Sequence, residues 1–207
     1  MQKFKLQSMA NRYGWDTSQL RYVAGFLEGL TARYWIAGGA LRRPILKQDT
    51  IKESDFDLFF GSEQDWKTVR ERLISRGFQP KRENEFNDEL TFEGTKNGEP
   101  VLVKVQLIKI EYYNSLEDVL NSFDFTLCQL GWEVSSDDFV CSDTALFDIA
   151  NKKLVVHHIT YPVASLRRIL KYTKQGFYAC QGFMTEFLSQ VQDHTTDIAN
   201  EKVRYFD

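Results

Sequence analysis

The chain has 207 residues, of which 43% are hydrophobic and 27% charged, proportions that are typical of a globular protein in water. Its formal net charge of −3 argues against a protein that coats nucleic acid non-specifically. No stretch approaches the roughly 18 consecutive apolar residues of a membrane span, and the first residues lack the apolar segment of a secretory signal. We therefore predict a cytoplasmic protein without a membrane partner. The three cysteines, an odd number without metal-ligand spacing, indicate neither a disulfide framework nor a zinc site.

The first predicted element is a helix that begins near Asp16-Thr17-Ser18. Its apolar residues recur at helical spacing: Leu20, Val23, Ala24 and Leu27. We expect this helix to pack behind the strand that follows it.

The stretch from Tyr34 to Phe60 carries the strongest functional pattern. An apolar strand runs into Gly38-Gly39, a short basic helical segment follows, and a second strand contains Asp55-Phe56-Asp57. Residues two apart in a strand point to one face, so the two carboxylates stand side by side and repel each other. Divalent cations relieve such repulsion, and hard oxygen ligands suit Mg²⁺ or Mn²⁺. A lone Asp-x-Asp is more often a solvated strand face, so this pattern needs its context.

The double glycine supplies that context. Backbone without a Cβ atom can approach phosphate oxygens closely, and a helix that begins directly after the turn presents free N–H groups. Gly38 and Gly39 therefore fit a triphosphate. A phosphate cradle beside metal-binding carboxylates implies phosphoryl transfer.

This order of elements resembles the opening of the polymerase-beta-like nucleotidyltransferases. GGALRRPIL followed by DFDLF is similar to the signature of bacterial-type tRNA CCA-adding enzymes and poly(A) polymerases, GG-x-V-R-D-x-L-L and then D-x-D. The resemblance implies that Asp55 and Asp57 are catalytic and hold two Mg²⁺ or Mn²⁺ ions. It also implies that Arg42 joins the two glycines in binding the nucleotide. Arg43 stands where the family usually has Asp.

A helix from Glu63 to Arg76 is predicted next, and after it two strands, Thr91–Glu93 and Val101–Ile108, joined through the turn signal Lys96-Asn97-Gly98. The polymerase-beta-like enzymes commonly add a third carboxylate from such a neighbouring strand. Here Gln106 shares its face with Lys104 and Ile108, and that face carries no acid. Three alternatives follow: two carboxylates and the substrate phosphates hold the metals, an acid such as Glu93 contributes, or catalysis has been lost.

Two later motifs add nucleotide contacts through the same resemblance. Asp124-Phe125-Thr126 is similar to part of the R-R-D-F-T-I-N motif that contacts the sugar of the incoming nucleotide, although both arginines are replaced. The alternative is that Asp124 only caps the turn that follows it. The predicted helix from Leu166 to Phe177 is similar to the family's L-R-A-A-R-F-A-A-K-L-G-F helix, and its Arg167 matches in place. The window from Ile149 to Thr185 holds six Lys or Arg and no Asp or Glu, which predicts either a footprint for phosphates or a solvated basic face.

Together these patterns predict an α+β protein with a nucleotidyltransferase-fold mixed sheet, flanking helices and a small C-terminal helical region. We expect a head at residues 1–160 and a short helical neck at residues 161–207. The leading hypothesis is metal-dependent transfer of a nucleoside monophosphate from a nucleoside triphosphate to a hydroxyl, with an RNA 3′ end, of tRNA or of another RNA, as the acceptor. A protein hydroxyl is another acceptor. The alternatives are a catalytically inactive nucleotide- or RNA-binding module and a regulatory partner protein.

Overall fold

A single mixed sheet organises the computed structural model, which describes residues 1–192. Within that range eight strands pair in the order β1-β8-β7-β2-β3-β6-β5-β4. The pair β3 and β6 is parallel, and every other neighbouring pair is antiparallel. The strands are β1 (Gln2–Lys5), β2 (Tyr34–Ala37), β3 (Phe56–Phe60), β4 (Gln79–Glu83), β5 (Asn87–Lys96), β6 (Glu99–Ile108), β7 (Leu130–Glu133) and β8 (Asp138–Cys141).

Helices lie between the strands and after the last of them. They are α1 (Leu6–Tyr13), α2 (Ser18–Gly25), α3 (Gly39–Ile45), α4 (Thr50–Glu53), α5 (Glu63–Ser75), α6 (Leu116–Asn121), α7 (Ala145–Ala150), α8 (Pro162–Lys174) and α9 (Gln181–Gln192). The α+β class predicted from the sequence is confirmed. Residues 193–207 of the predicted neck lie outside the described residues. None of the helices in residues 1–192 is both long enough and apolar enough to cross a membrane.

Local signals formed two of the predicted elements as expected. The helix predicted from Glu63 is α5, and the hydroxyl of Ser62 caps it by accepting a hydrogen bond from the backbone N–H of Asp65 at 3.1 Å. The turn predicted at Asn97-Gly98 joins β5 to β6, and both residues have positive φ, 54° and 84°. The first strand of that hairpin is longer than the predicted Thr91–Glu93 because tertiary pairing with β6 extends it to ten residues.

The two faces of the sheet bury different amounts of side chain. The main core lies where Phe56, Leu58 and Phe60 of β3 meet apolar residues of α1, α2 and α5. On the opposite face α6 covers Trp35, Ala37 and Phe59, which form a second and smaller apolar cluster. That face is open over β6, where Lys104 is exposed and Leu102 is 43% exposed.

One row of residues crosses the second face from the covered half to the open half. In register order the row is Val140, Gly131, Ala37, Asp57, Gln106 and Glu89. Small residues at two of these positions let α6 approach, since a Cβ atom at Gly131 would lie 2.5 Å from Leu116 Cδ1. The sheet therefore holds Asp57 at the boundary between packed and open surface.

Candidate active site

Asp55 and Asp57 stand at the start of β3, as the alternation of the strand predicts. Both are half-buried, while Phe56 and Leu58 point to the main core and are fully buried. Burial and the neighbouring charge of Asp55 raise the pKa of Asp57 to about 7, and Lys171 and Arg168 of α8 act in the opposite direction. The two carboxylates thus repel each other, and two cationic side chains of α8 act on the same site.

The double-glycine turn lies directly against the carboxylates. Gly38 adopts φ +82°, and a Cβ atom there would lie 3.8 Å from Asp57 Oδ2 and 3.9 Å from a ring carbon of Phe123. At Gly39 a Cβ atom would lie 2.9 Å from the Ser54 hydroxyl oxygen, so a side chain does not fit without displacement. The structure therefore brings together the predicted phosphate-binding turn and the predicted metal-binding pair.

Gln106 occupies the place where a third carboxylate was expected. It is the register partner of Asp57 on β6, and its Nε2 donates a hydrogen bond to Asp55 Oδ2 at 2.9 Å. The predicted register of this strand is confirmed, because Val103 and Val105 on the other face are fully buried. Gln106 is thus a neighbour of both carboxylates.

Of the acids on β5, Glu89 lies nearer to this site than the suggested Glu93. Glu89 pairs with Gln106, whereas Glu93 pairs with Leu102, four residues further along β6. Two strand spacings place the backbone of Glu89 about 10 Å from that of Asp57. Extending the predicted strand towards its N-terminus would have shown Glu89 on the same face.

Asp124 is held by α8. It is 6% exposed, and its Oδ2 accepts hydrogen bonds from the Ser165 hydroxyl at 2.7 Å and from Arg168 Nη1 at 2.6 Å. Burial alone would lower the pKa of Arg168, but the ion pair with Asp124 raises it above its ordinary value. Arg167, the predicted nucleotide contact, is half-buried on the same helix, and its neighbour Arg168 makes the contact with Asp124. The nucleotide-binding roles of Asp124 and Arg167 stay predictions.

Arg42 lies in the interior and not on the open surface. It is 1% exposed, its guanidinium lies 4.9 Å from the ring centre of Tyr172 and 5.5 Å from that of Phe177, and it donates to Gln175 Oε1 at 3.3 Å. Arg43 is also buried and donates to Gln48 Oε1 at 2.7 Å. Sequence reasoning missed this burial because a basic segment usually indicates surface, and the role of Arg42 at a triphosphate stays a prediction.

The donor set fits a hard divalent cation. Two adjacent carboxylates that repel each other supply oxygen ligands, and Mg²⁺ is commonly bound by one or two carboxylates together with substrate phosphates and water. Within residues 1–192 no group of three His, Cys, Asp or Glu side chains is close enough to hold an ion. A hollow of about 740 Å³ lies elsewhere, beside Arg21, Arg33 and Trp132 and next to the opposite end of β2 from Gly38.

Comparison with known proteins assigns the family. Residues 2–152, which include the whole sheet and both carboxylates, match the model of the Gabija anti-defense 2 family. The chain belongs to that family. A curated member, Gabija anti-defense 2 of Bacillus phage SPbetaL7, is 28% identical over 76 residues, which are 36% of this chain and 19% of that protein.

Solved structures similar to this family member show its fold. Two apo forms of a CCA-adding enzyme match with TM-scores of 0.64 and 0.61 at 14% and 15% identity, and a complex of CCA-adding enzyme with ATP matches with 0.62 at 15%. The matches cover 94–95% of this chain and 47–50% of theirs, so it spans about half the length of those enzymes. At this identity the likeness establishes the nucleotidyltransferase fold alone, and that prediction is confirmed.

Proposed function

We propose that this Gabija anti-defense 2 family protein is a metal-dependent nucleotidyltransferase that moves a nucleoside monophosphate from a nucleoside triphosphate to a hydroxyl acceptor. One observation carries the proposal: the double-glycine turn adjoins the Asp57 carboxylate, since a Cβ atom added at Gly38 would lie 3.8 Å from Asp57 Oδ2. A phosphate seated on that turn would therefore lie beside the pair of carboxylates. Sites for phosphoryl transfer require this juxtaposition.

The roles of the residues follow from their positions. Asp55 and Asp57 would hold the cations, which when bound would activate the attacking hydroxyl and stabilise the leaving pyrophosphate. The turn admits phosphate oxygens because neither glycine carries a Cβ atom. Arg168 and Lys171, whose charges act on Asp57, add positive charge on the side of α8. Asp124, anchored by Arg168, fixes the position of that helix relative to the site.

The acceptor we propose is an RNA 3′ end, with tRNA as the first candidate. Support comes from the acid-free window between Ile149 and Thr185, which includes α8 and its exposed Lys171 and Lys174. The name of the phage relative points to a biological role in opposing the Gabija defence of a bacterial host. We propose that role for this chain, with the nucleotide transfer as its chemical means. A protein hydroxyl, including one on a defence component, is the competing acceptor.

The second candidate function is binding without catalysis, either to a nucleotide or RNA or to a regulated partner protein. It is favoured by Gln106, whose neutral amide stands where the polymerase-beta-like enzymes commonly supply an acid. Arg43, which stands where the CCA-adding enzymes and poly(A) polymerases usually have Asp, points the same way. In this alternative the protein retains a nucleotide-binding site but does not catalyse nucleotide transfer.

The deciding experiment measures incorporation of α-labelled nucleotide into total RNA and into total protein, with Mg²⁺ or with EDTA. The wild-type protein is compared with Asp57→Ala and with Asp118→Ala, which removes an exposed acid in the first turn of α6. Transfer by the wild type and Asp118→Ala, but not by Asp57→Ala or with EDTA, supports the enzyme. Nucleotide binding without transfer in any sample would favour the second candidate, and the labelled fraction identifies the acceptor.

A further inference from the structure

A directed chain of side-chain amides runs from the β4–β5 turn to the candidate metal site. Asn84 Nδ2 donates to Asn87 Oδ1 at 2.7 Å, Asn87 Nδ2 donates to Gln106 Oε1 at 3.0 Å, and Gln106 Nε2 donates to Asp55 Oδ2 at 2.9 Å. All four residues are half-buried, so these bonds are shielded in part from water. The chain links a turn near the sheet edge to a carboxylate three strands away.

The backbone determines the direction of this chain. Asn84 Oδ1 accepts from the backbone N–H groups of Phe86 and Asn87 at 2.7 and 3.1 Å, so its amide group cannot be turned around without losing both bonds. With Asn84 fixed as a donor, Asn87 must accept through its oxygen and donate through its nitrogen. Because the oxygen of Gln106 accepts from Asn87, its nitrogen is the atom that faces Asp55, and Gln106 therefore donates to that carboxylate.

We propose that Gln106 is a positioning residue that holds Asp55 for metal binding, and that Asn84 and Asn87 set its orientation. The proposal rests on the proposed function, since it concerns the same metal site. Gln106 does not replace the expected third carboxylate as a ligand, because its oxygen accepts from Asn87. Its nitrogen instead occupies one lone pair of Asp55 Oδ2 and fixes the rotation of that carboxylate. The remaining lone pairs of Asp55 then have a defined direction.

This arrangement explains how two carboxylates can bind the metal ions where the polymerase-beta-like enzymes commonly use three. A third acid adds charge and a ligand, but it also adds repulsion in the metal-free protein. A neutral donor gives Asp55 a fixed orientation without that repulsion. Hydrogen bonds from outer residues to metal ligands commonly account for tenfold or more in metal affinity.

The test measures Mn²⁺ affinity by isothermal titration calorimetry on the intact protein. Gln106→Met removes the donor at similar side-chain length, and Asn87→Ala leaves the donor but removes its anchor. Gln79→Met makes the same chemical change at an exposed position of β4 in the same sheet. We expect Gln106→Met to weaken Mn²⁺ binding about tenfold, Asn87→Ala to weaken it less, and Gln79→Met to leave it unchanged, at temperatures well below all melting transitions.

A Gln106→Met protein that binds Mn²⁺ as tightly as the wild type would overturn the proposal, and so would equal losses in Gln106→Met and Gln79→Met. The proposed metal centre is judged separately, by whether Asp57→Ala abolishes Mn²⁺ binding that the wild type shows. If the wild type binds no Mn²⁺, the metal centre and the role of Gln106 towards it both fail. The amide chain itself is then decided by NMR of the metal-free protein, in which Asp55→Ala must shift the side-chain NH₂ resonance of Gln106 if their hydrogen bond exists.

Discussion

Helices α3 and α8 each carry two adjacent arginines, and the fold uses the two pairs in different ways. On α3, Arg42 and Arg43 are both buried. The guanidinium of Arg42 stacks on the rings of Tyr172 in α8 and of Phe177, which follows that helix. On α8, Arg168 keeps about half of its side chain exposed while it pairs with the buried Asp124. The first pair fills the interior, whereas Arg168 of the second pair lies close enough to the candidate site to act on Asp57.

The difference shows that agreement with a motif does not fix the role of a residue. Arg42 resembles the arginine of the CCA-adding signature in its place in the sequence, yet its guanidinium is enclosed between Tyr172, Phe177 and the carbonyl oxygen of Leu127. Burial of Tyr172, together with its neighbour Cys128, raises the pKa of its hydroxyl, so this ring stays neutral beside Arg42. The motif comparison assigned no role to Arg168, yet Arg168 is the residue that forms an ion pair with Asp124.

The largest expected effect tests whether Arg42 acts by packing. Arg42→Ala should lower the free energy of unfolding by about 3 kcal/mol, because it leaves a cavity beside two aromatic rings. Arg42→Met should retain most of the stability, since its thioether fills similar volume and packs on aromatic rings without a buried charge. Urea denaturation of both variants measures this. If Arg42→Met instead keeps the fold but loses nucleotide binding, Arg42 serves the triphosphate after all.

The second test concerns the pair on α8. Arg168→Met removes one of the two side-chain hydrogen bonds that Asp124 Oδ2 accepts within residues 1–192. The free energy of unfolding should fall by about 1 kcal/mol, a value reduced by the partial exposure of Arg168. Lys174→Met, at an exposed position on the same helix, should leave the urea midpoint unchanged. Equal midpoints for all three proteins would show that the Arg168–Asp124 pair adds nothing to the stability of the fold.

A third test concerns the neutral amide of Gln106 beside the two carboxylates, which the cations of α8 also influence. Gln106→Glu removes the donor to Asp55 but adds a third anionic oxygen near the cations. Because the added charge outweighs the lost hydrogen bond, we expect Mg²⁺ to bind about three- to tenfold more tightly. The metal-free variant should be less stable by about 1 kcal/mol because like charges then meet at hydrogen-bond distance. Calorimetry and thermal melting with and without Mg²⁺ measure the two changes, and a variant that shows neither would place Gln106 away from the metals.

The smallest expected effect is electrostatic and concerns RNA. Replacing Arg167 and Lys171 by Gln should flatten the plot of log affinity against log salt by about one to two units, since each phosphate contact contributes about 0.7 to 0.9. The melting temperature should change little, because Lys171 is exposed and Gln keeps a polar side chain at the half-buried position of Arg167. An unchanged salt slope together with weaker nucleoside triphosphate binding would assign α8 to the nucleotide pocket instead.

Local patterns predicted the elements that local chemistry forms. The strand, the double glycine and the Asp-x-Asp strand were readable because glycine and the two-residue alternation of a strand have direct physical meaning. The amide chain was not readable, since it depends on how Asn87 and Gln106 align across two strands. The burial of Arg42 depends on the packing of α8 against α3. Likewise, β1 pairs with β8, so that Gln2 lies opposite Cys141, a residue far from it in the sequence. Such contacts are set by tertiary structure.

The single parallel pair in the sheet has a consequence for the order of folding. The strands β4, β5 and β6 are joined by short turns, and each pairs with the next one along the chain. By contrast, β3 pairs with β6, and both β4 and β5 lie between them in the sequence. The contact between Asp55 and Gln106 spans 51 residues, and contacts of such separation form only after the entropy of closing a long loop has been overcome. We therefore expect the two carboxylates to acquire their partner late in folding. A chain that has folded only its hairpins would have strands and a partial core, but its carboxylate pair would not yet be held in place.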